Sequence, residues 1–287
     1  MGSLIVFDSK PQQIEYPSKT TSLKKSVIFY CSGQMGEYSP LYASEMLKSE
    51  NTLLKPFYAM KLKAIYRKID LSHQNDNVLK VASELKNSLL RNYPYYFYIA
   101  YSNYTPDLFA ALQASINDGC SSIQILNYSY NKLALSPELS TQLKRHKISI
   151  EITPRVYTAN NFPSAMTRII EASTQKNHGI LLLGNVDDIS EKISSLLVSN
   201  GYLKQNILIK PKTAANITAA FHYFENNHFK NIFYINLTND NFDYKTEILL
   251  QSLLKKQSTA VKITGVNSWS YNKFLIRAAI EVLRNKQ

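Results

Sequence analysis

Amide, carboxylate and hydroxyl side chains recur just past apolar runs along this chain. They are Asp8 and Ser9, Ser102 and Asn103, Asn127 and Tyr128, Asn185 with Asp187 and Asp188, and Asn239 with Asp240, Asn241 and Asp243. Gathered on one rim, the carboxylates among them accept protons or attract a hard or borderline cation. The competing use is local, since Asp and Asn also cap helices. "NVDDISEKI" reads as a helix start with Asp187 or Asp188 as cap and Glu191 in the first turn. His73, His146, His178, His222 and His228 are dispersed, and no pair has HExxH spacing or a cysteine beside it, which argues against a preformed zinc site. His222, inside "AAFHYFENN", reads as a surface residue on a helix. No GxGxxG, GxxxxGK[ST] or GxSxG occurs, so dinucleotide and nucleoside triphosphate enzymes fall away.

The elements that must position these residues follow from composition and pattern. With 287 residues, 45% of them hydrophobic and 19% charged, the chain has material for one large core or two modest ones. Cys31 and Cys120 belong to no CxxC pair and make no disulfide framework, which fits a reducing, cytoplasmic setting. The opening "MGSLIVFDSKPQQ" has neither the basic lead nor the apolar length of a signal peptide, and no apolar run is long enough to span a membrane. The formal charge of +12 favours anionic partners. The basic residues are scattered rather than striped, so nucleic acid is not the expected partner; that reading rests on charge alone and predicts steeply salt-dependent affinity.

Short apolar runs alternate with helical patterns. "SLIVF" (3–7), "YYFYIAY" (95–101), "SIQIL" (122–126), "ISIEI" (148–152), "GILLL" (179–183), "NILIK" (206–210), "NIFYI" (231–235) and "AVKIT" (260–264) read as strands. Between two of them, "DLFAALQASINDG" puts Leu108, Leu112 and Ile116 on one face and ends at Gly119. Apolar strands separated by helices imply an α/β fold of parallel sheets covered on both faces. Eight strands divide into two doubly wound, Rossmann-like lobes, residues 1–160 and 161–287, with the last helix, "NKFLIRAAIEVLRNK", packing back across the pair. A helical lip insertion, about 12–72, follows the first strand, and "SVIFY" is the one strand candidate within it.

Several stretches, in order, carry a family pattern. "SLIVFDSKP" keeps a proline at Pro11, and "LLKPFYAMKLKAIYRKI" ends in Tyr66 to Ile69. "YYFYIAYSNYTPDLFAALQASINDGCSSIQIL" holds Asn103, Pro106, Ala111, Leu112, Asp118 and Gly119. "GILLLGNVDDISEKI", "NIFYINLTNDNFDYKTEIL" and "GVNSWSYNKFLIRAAIEVL" complete the set. Together these resemble the ferrochelatase family, which inserts ferrous iron into a porphyrin. The resemblance covers nearly the whole chain and implies a chelatase-like fold. The family's catalytic histidine falls near Asn185 or Val186, where this chain has none, and its second-half acidic motif aligns with Asp240, Asn241, Phe242 and Asp243. Its Gln-Ser-Arg segment has no counterpart around "ILIKPKTAANITAAF", and its Gly-Gly-x-Ser-Pro-Leu turn reads "DLSHQND".

The resemblance implies that Asp243 and Asp240 are the acid/base or metal-relay groups, since a carboxylate in an apolar cleft becomes a better base. Asn185 takes up no proton at physiological pH. Phe57, Tyr58, Tyr66, Arg67 and Tyr128 are the expected porphyrin-binding residues, with Lys61 and Lys63 beside the lip aromatics. Asp187 and Asp188 are expected to cap a helix and to serve metal entry. No resident cofactor is required, because porphyrin and Fe(II) are substrates, or haem is a bound ligand. The lip also offers a peripheral membrane contact. The alternative is a catalytically degenerate member that binds porphyrin or haem, or acts as an interaction protein.

Overall fold

The computed structural model of the chain describes residues 14–16, 24–32, 40, 43–44, 47, 51–68, 72–90, 95–102, 106–238, 246, 248–250, 252, 261–266 and 272–284. The chain divides into two compact units. The first contains Met1–Gly33, Val78–Ala165 and Asn272–Gln287, and the second Gln34–Asn77 and Met166–Tyr271.

The first sheet has four parallel strands, β1 (Lys24–Cys31), β2 (Tyr96–Tyr101), β3 (Cys120–Tyr128) and β4 (Ser149–Ile152), in the order β2-β1-β3-β4. Burial follows position: β1 is covered from Ser26 to Cys31, whereas the edge strands β2 and β4 are mostly half-buried. "SVIFY" thus forms a central strand of this sheet, and "SLIVF" lies outside the described residues. A polar residue inside β1 obscures its pattern. Ser26 is buried, and its hydroxyl is satisfied by Ser115 Oγ at 2.7 Å.

Between β1 and β2 lie helices α1 (Lys55–Lys68) and α2 (Ser72–Leu90). Helix α3 (Leu108–Asn117) begins where the Asp107 carboxylate accepts the Ala110 N–H at 2.8 Å, and ends before Gly119, whose φ of 80° suits a residue without Cβ. Helix α4 (Pro137–Arg145) has Ser136 as cap, Glu138 in its first turn and Lys144 and Arg145 in its last, as the helix dipole favours. Leu108, Leu112 and Ile116 of α3 pack with Ile28, Ile123 and Ile125 of the sheet.

The second sheet repeats this topology. Its parallel strands β5 (Gly179–Leu183), β6 (Ile207–Lys210), β7 (Asn231–Asn236) and β8 (Lys262–Val266) lie in the order β6-β5-β7-β8. Central β5 is buried at every residue, which is why "GILLL" reads as one apolar run. Helices α5 (Phe162–Ser173), α6 (Asp188–Ser199) and α7 (Ala214–Asn226) connect the strands, and Ile217, Phe221 and Phe224 of α7 pack on Leu181 and Ile232. The last helix, α8 (Ile276–Arg284), belongs to the first unit, where Gln124 of β3 donates to the Leu283 carbonyl at 3.3 Å. The fold is α/β, with two doubly wound lobes.

Candidate functional site

In each sheet the first strand lies between the second and the third, so the chain leaves it toward opposite sides in successive crossovers. The carboxyl ends of β1 with β3, and of β5 with β7, are therefore the topological switch points, where open α/β sheets bind ligands.

In the first lobe this edge is a rigid polar network. Ser32 is buried just past β1, and Ser102 donates its N–H to the Cys31 carbonyl at 2.9 Å. Asn127 is buried; it donates its N–H to Thr153 Oγ1 at 3.1 Å and its amide Nδ2 to the Asn131 carbonyl at 3.0 Å. The Thr153 hydroxyl passes on to the Pro154 carbonyl at 2.9 Å. Arg155, just past β4, reaches back to the loop after β3, its Nη1 donating to the Tyr130 carbonyl at 3.0 Å. Its guanidinium lies over the rings of Tyr130 and Tyr157, 5.8 and 6.0 Å from their centroids, and these rings meet edge to face at 4.9 Å. Tyr128, expected at the porphyrin, is fully buried, its ring 4.8 Å from Phe29.

In the second lobe, Gly184 donates its N–H to the Lys210 carbonyl at 3.0 Å, and Leu237 donates to the Leu183 carbonyl at 2.8 Å. Asn236, which ends β7, is fully buried; its Oδ1 accepts the N–H and hydroxyl of Thr238 at 3.3 and 3.2 Å. Asp187 caps α6 in a reciprocal box: its carboxylate accepts the Ser190 N–H at 2.9 Å, and Ser190 Oγ accepts the Asp187 N–H at 3.0 Å. Asn185 and Asp188 are exposed. Asp240, Asn241 and Asp243 lie outside the described residues, as do Asp8, Ser9, Asn103 and Asn239. Among the described residues no three His, Cys, Asp or Glu side chains gather where they could hold a metal ion.

The lip helix α1 lies in the second unit and has two distinct faces. Leu62, Ile65 and Tyr66 are buried with Ala43 and Leu47, and Tyr58 and Ile248 pack partly against them. Phe57 and Arg67 stay exposed, with Lys61 Nζ 4.2 Å from the Phe57 ring centroid. Of the four expected lip residues, Tyr66 is thus a packing residue and Tyr58 partly so. His222 is exposed on α7, its Nδ1 3.3 Å from Glu225. His146 stacks on Tyr16 with ring centroids 3.3 Å apart.

Two solved structures are similar to this chain in fold. One is SirB from Bacillus subtilis, determined with Fe3+: 13% identity, a TM-score of 0.55, and coverage of 92% of this chain and 95% of that one. The other is DR2241 from Deinococcus radiodurans, a multi-domain protein with structural similarity to chelatases and two additional novel domains: 9% identity, a TM-score of 0.53, and coverage of 93% of this chain and 56% of that one.

The fold is chelatase-like.

The chain spans 56% of the length of DR2241. No family model and no curated protein sequence matches it. Within the chelatase-like fold, the sequence reading missed Arg155 and Asn236. Arg155 had one signal, its place directly after the strand-ending "ITP". Asn236 had none, since it is the final residue of an apolar run. Among the described residues no helix is long and apolar enough to cross a membrane.

Proposed function

We propose that the protein binds a tetrapyrrole and inserts ferrous iron into it, as a metal chelatase. The observation that carries this reading is the duplicated parallel fold, shared over 92% of the chain with a structure determined with Fe3+. Insertion exchanges the two inner N–H protons of the macrocycle for Fe(II), so the protein must accept protons while the ion sheds water. Asp243 and Asp240 are the assigned acid/base or relay groups, because Asn185 cannot take up a proton. A flat apolar ligand needs an apolar wall with a few cations for its acid groups. The exposed Phe57 with Lys61 and Arg67 fits that need, and α1 has no acidic residue. The protein works in the cytoplasm, with tetrapyrrole as its partner and no resident cofactor, and the exposed side of α1 gives it a peripheral membrane contact.

A second reading has its own support. The resembled family's histidine falls near Asn185 or Val186, where this chain has none, and the Asp187 carboxylate is engaged in a helix cap. A catalytically degenerate protein that binds porphyrin or haem, or serves as an interaction partner, accommodates both facts. A spectrophotometric assay decides between them: metal-free protein is titrated with porphyrin, and Fe(II) or Zn(II) is then added. Binding followed by metallation faster than in free solution, and lost in Asp243→Asn, supports the enzyme. Tight binding with metallation at the uncatalysed rate supports the second reading. No Soret change on mixing overturns both tetrapyrrole readings.

A further inference from the structure

We infer that Arg155 is a carboxylate-binding residue of the first lobe, holding an acid side chain of the ligand; the inference rests on the tetrapyrrole reading. Arg155 is half-buried, and among the described residues no Asp or Glu pairs with it. Cations withdrawn from water normally have an anionic partner, because desolvation penalises an uncompensated charge. The partners of Arg155 are of another kind. One Nη1–H goes to the Tyr130 carbonyl at 3.0 Å, and the faces of Tyr130 and Tyr157 offset part of the charge at 5.8 and 6.0 Å.

That arrangement fixes the guanidinium while using few of its five N–H donors. A planar fork held in advance suits an oxoanion taken up by two parallel hydrogen bonds, since less side-chain freedom is lost on binding. Its anchor is itself rigid. The loop that supplies the Tyr130 carbonyl is tied down by Asn127 Nδ2 to the Asn131 carbonyl at 3.0 Å, and by the Asn131 N–H to Ser129 Oγ at 3.1 Å. This loop leaves the carboxyl end of β3, the strand that borders the switch point, so the fork sits at the edge where such sheets bind ligands. The same network contains a second unspent group: Asn127 Oδ1 is buried and, among the described residues, meets no donor.

The test titrates the full-length protein with uroporphyrin, whose side chains are carboxylates, and with a porphyrin bearing neutral glycol side chains instead. Wild type is compared with Arg155→Gln and Arg155→Lys. Loss of a charge-assisted pair corresponds to about a tenfold or greater rise in Kd. The inference predicts that loss for uroporphyrin with Arg155→Gln, a smaller one with Arg155→Lys, and no change for the neutral porphyrin. Unchanged uroporphyrin affinity in a folded Arg155→Gln protein overturns the inference and leaves tetrapyrrole binding standing. If Arg155→Gln does not fold, the comparison passes to Arg155→Lys, which keeps the charge and loses the fork: weaker uroporphyrin binding supports the inference, and equal binding overturns it. If neither porphyrin binds wild type, the tetrapyrrole reading fails by itself, and inorganic phosphate becomes the probe. Thermal stabilisation by phosphate that requires Arg155 then keeps an oxoanion site, and its absence removes the site altogether.

Discussion

Glu281 holds Asn161 across 120 positions of sequence: one carboxylate oxygen accepts both the backbone N–H of Asn161 at 2.9 Å and its side-chain amide at 2.8 Å, and the other accepts the Asn160 N–H at 2.8 Å. The acceptor comes from α8 and the donors lie just ahead of α5, so the carboxylate supplies from a distance what a capping residue supplies locally. Burial by itself raises the Glu281 pKa, but the hydrogen bonds from Asn161 and Asn160 outweigh it and hold the value below the ordinary 4.5. Between that lowered value and 4.5 the unfolded chain binds more protons. The stabilisation is therefore fully present above 4.5 and is lost as pH falls through the folded value. Glu281→Gln should lower stability by about 1 kcal/mol at neutral pH, as loss of a cap does. Urea midpoints measured against pH should show the acid-side decline reduced in the variant, and identical pH profiles would refute the assignment.

His178 precedes β5, where burial, and secondarily the charge of Lys262, lower its pKa below 6.5. The folded protein sheds this proton at lower pH than the unfolded chain does. Its contribution is thus present above 6.5 and lost as pH falls through the lowered value. Lys262→Gln should move the value upward while leaving it below 6.5, because burial is the larger cause. Titration of the His178 ring protons by NMR in both proteins checks this, and full restoration to 6.5 in the variant would reverse the ranking of causes.

The order of strands and helices was legible because its signals are local. Every residue of "GILLL" is buried, and Asp107 and Ser136 cap the helices that follow them within three residues. What escaped the sequence is non-local. "SVIFY" shows as a strand candidate but not as a central strand, because it opens on Ser26, whose partner Ser115 lies 89 positions away, and Arg155 is anchored by a carbonyl 25 positions back. Tyr66 and Tyr128 are ligand candidates in the sequence by their aromatic rings, and no local pattern says whether a ring faces a ligand or a core. Both are buried.

The two faces of α1 should respond differently to truncation. Leu62 is fully buried and Phe57 is 51% exposed. Leu62→Ala should cost about 2–5 kcal/mol, the range for emptying a core position. Phe57→Ala should stay within about 0.5 kcal/mol of wild type, as exposed substitutions do. If the exposed face meets a porphyrin, Phe57→Ala weakens porphyrin binding at unchanged stability. Thermal melts paired with Soret titrations separate the outcomes, and a large stability loss in Phe57→Ala would mean that the ring packs in the core.

Asp187 has two candidate roles that predict opposite patterns. As a cap its carboxylate satisfies the Ser190 N–H, a task that serine or asparagine also performs. As a metal-entry group it contributes negative charge, which neither replacement keeps. Capping predicts that Asp187→Ala loses about 1 kcal/mol of stability, that Asp187→Ser and Asp187→Asn recover most of it, and that metal uptake by the protein is the same in all three. Metal entry predicts that all three slow uptake alike, whatever their stability. The reciprocal bond from the Asp187 N–H to Ser190 Oγ is the physical reason to expect the first pattern, because it shows the box closed from both sides. Denaturant midpoints alongside stopped-flow metal uptake distinguish the two. Slowed uptake in a fully stable Asp187→Asn protein would move this residue from structure to transport.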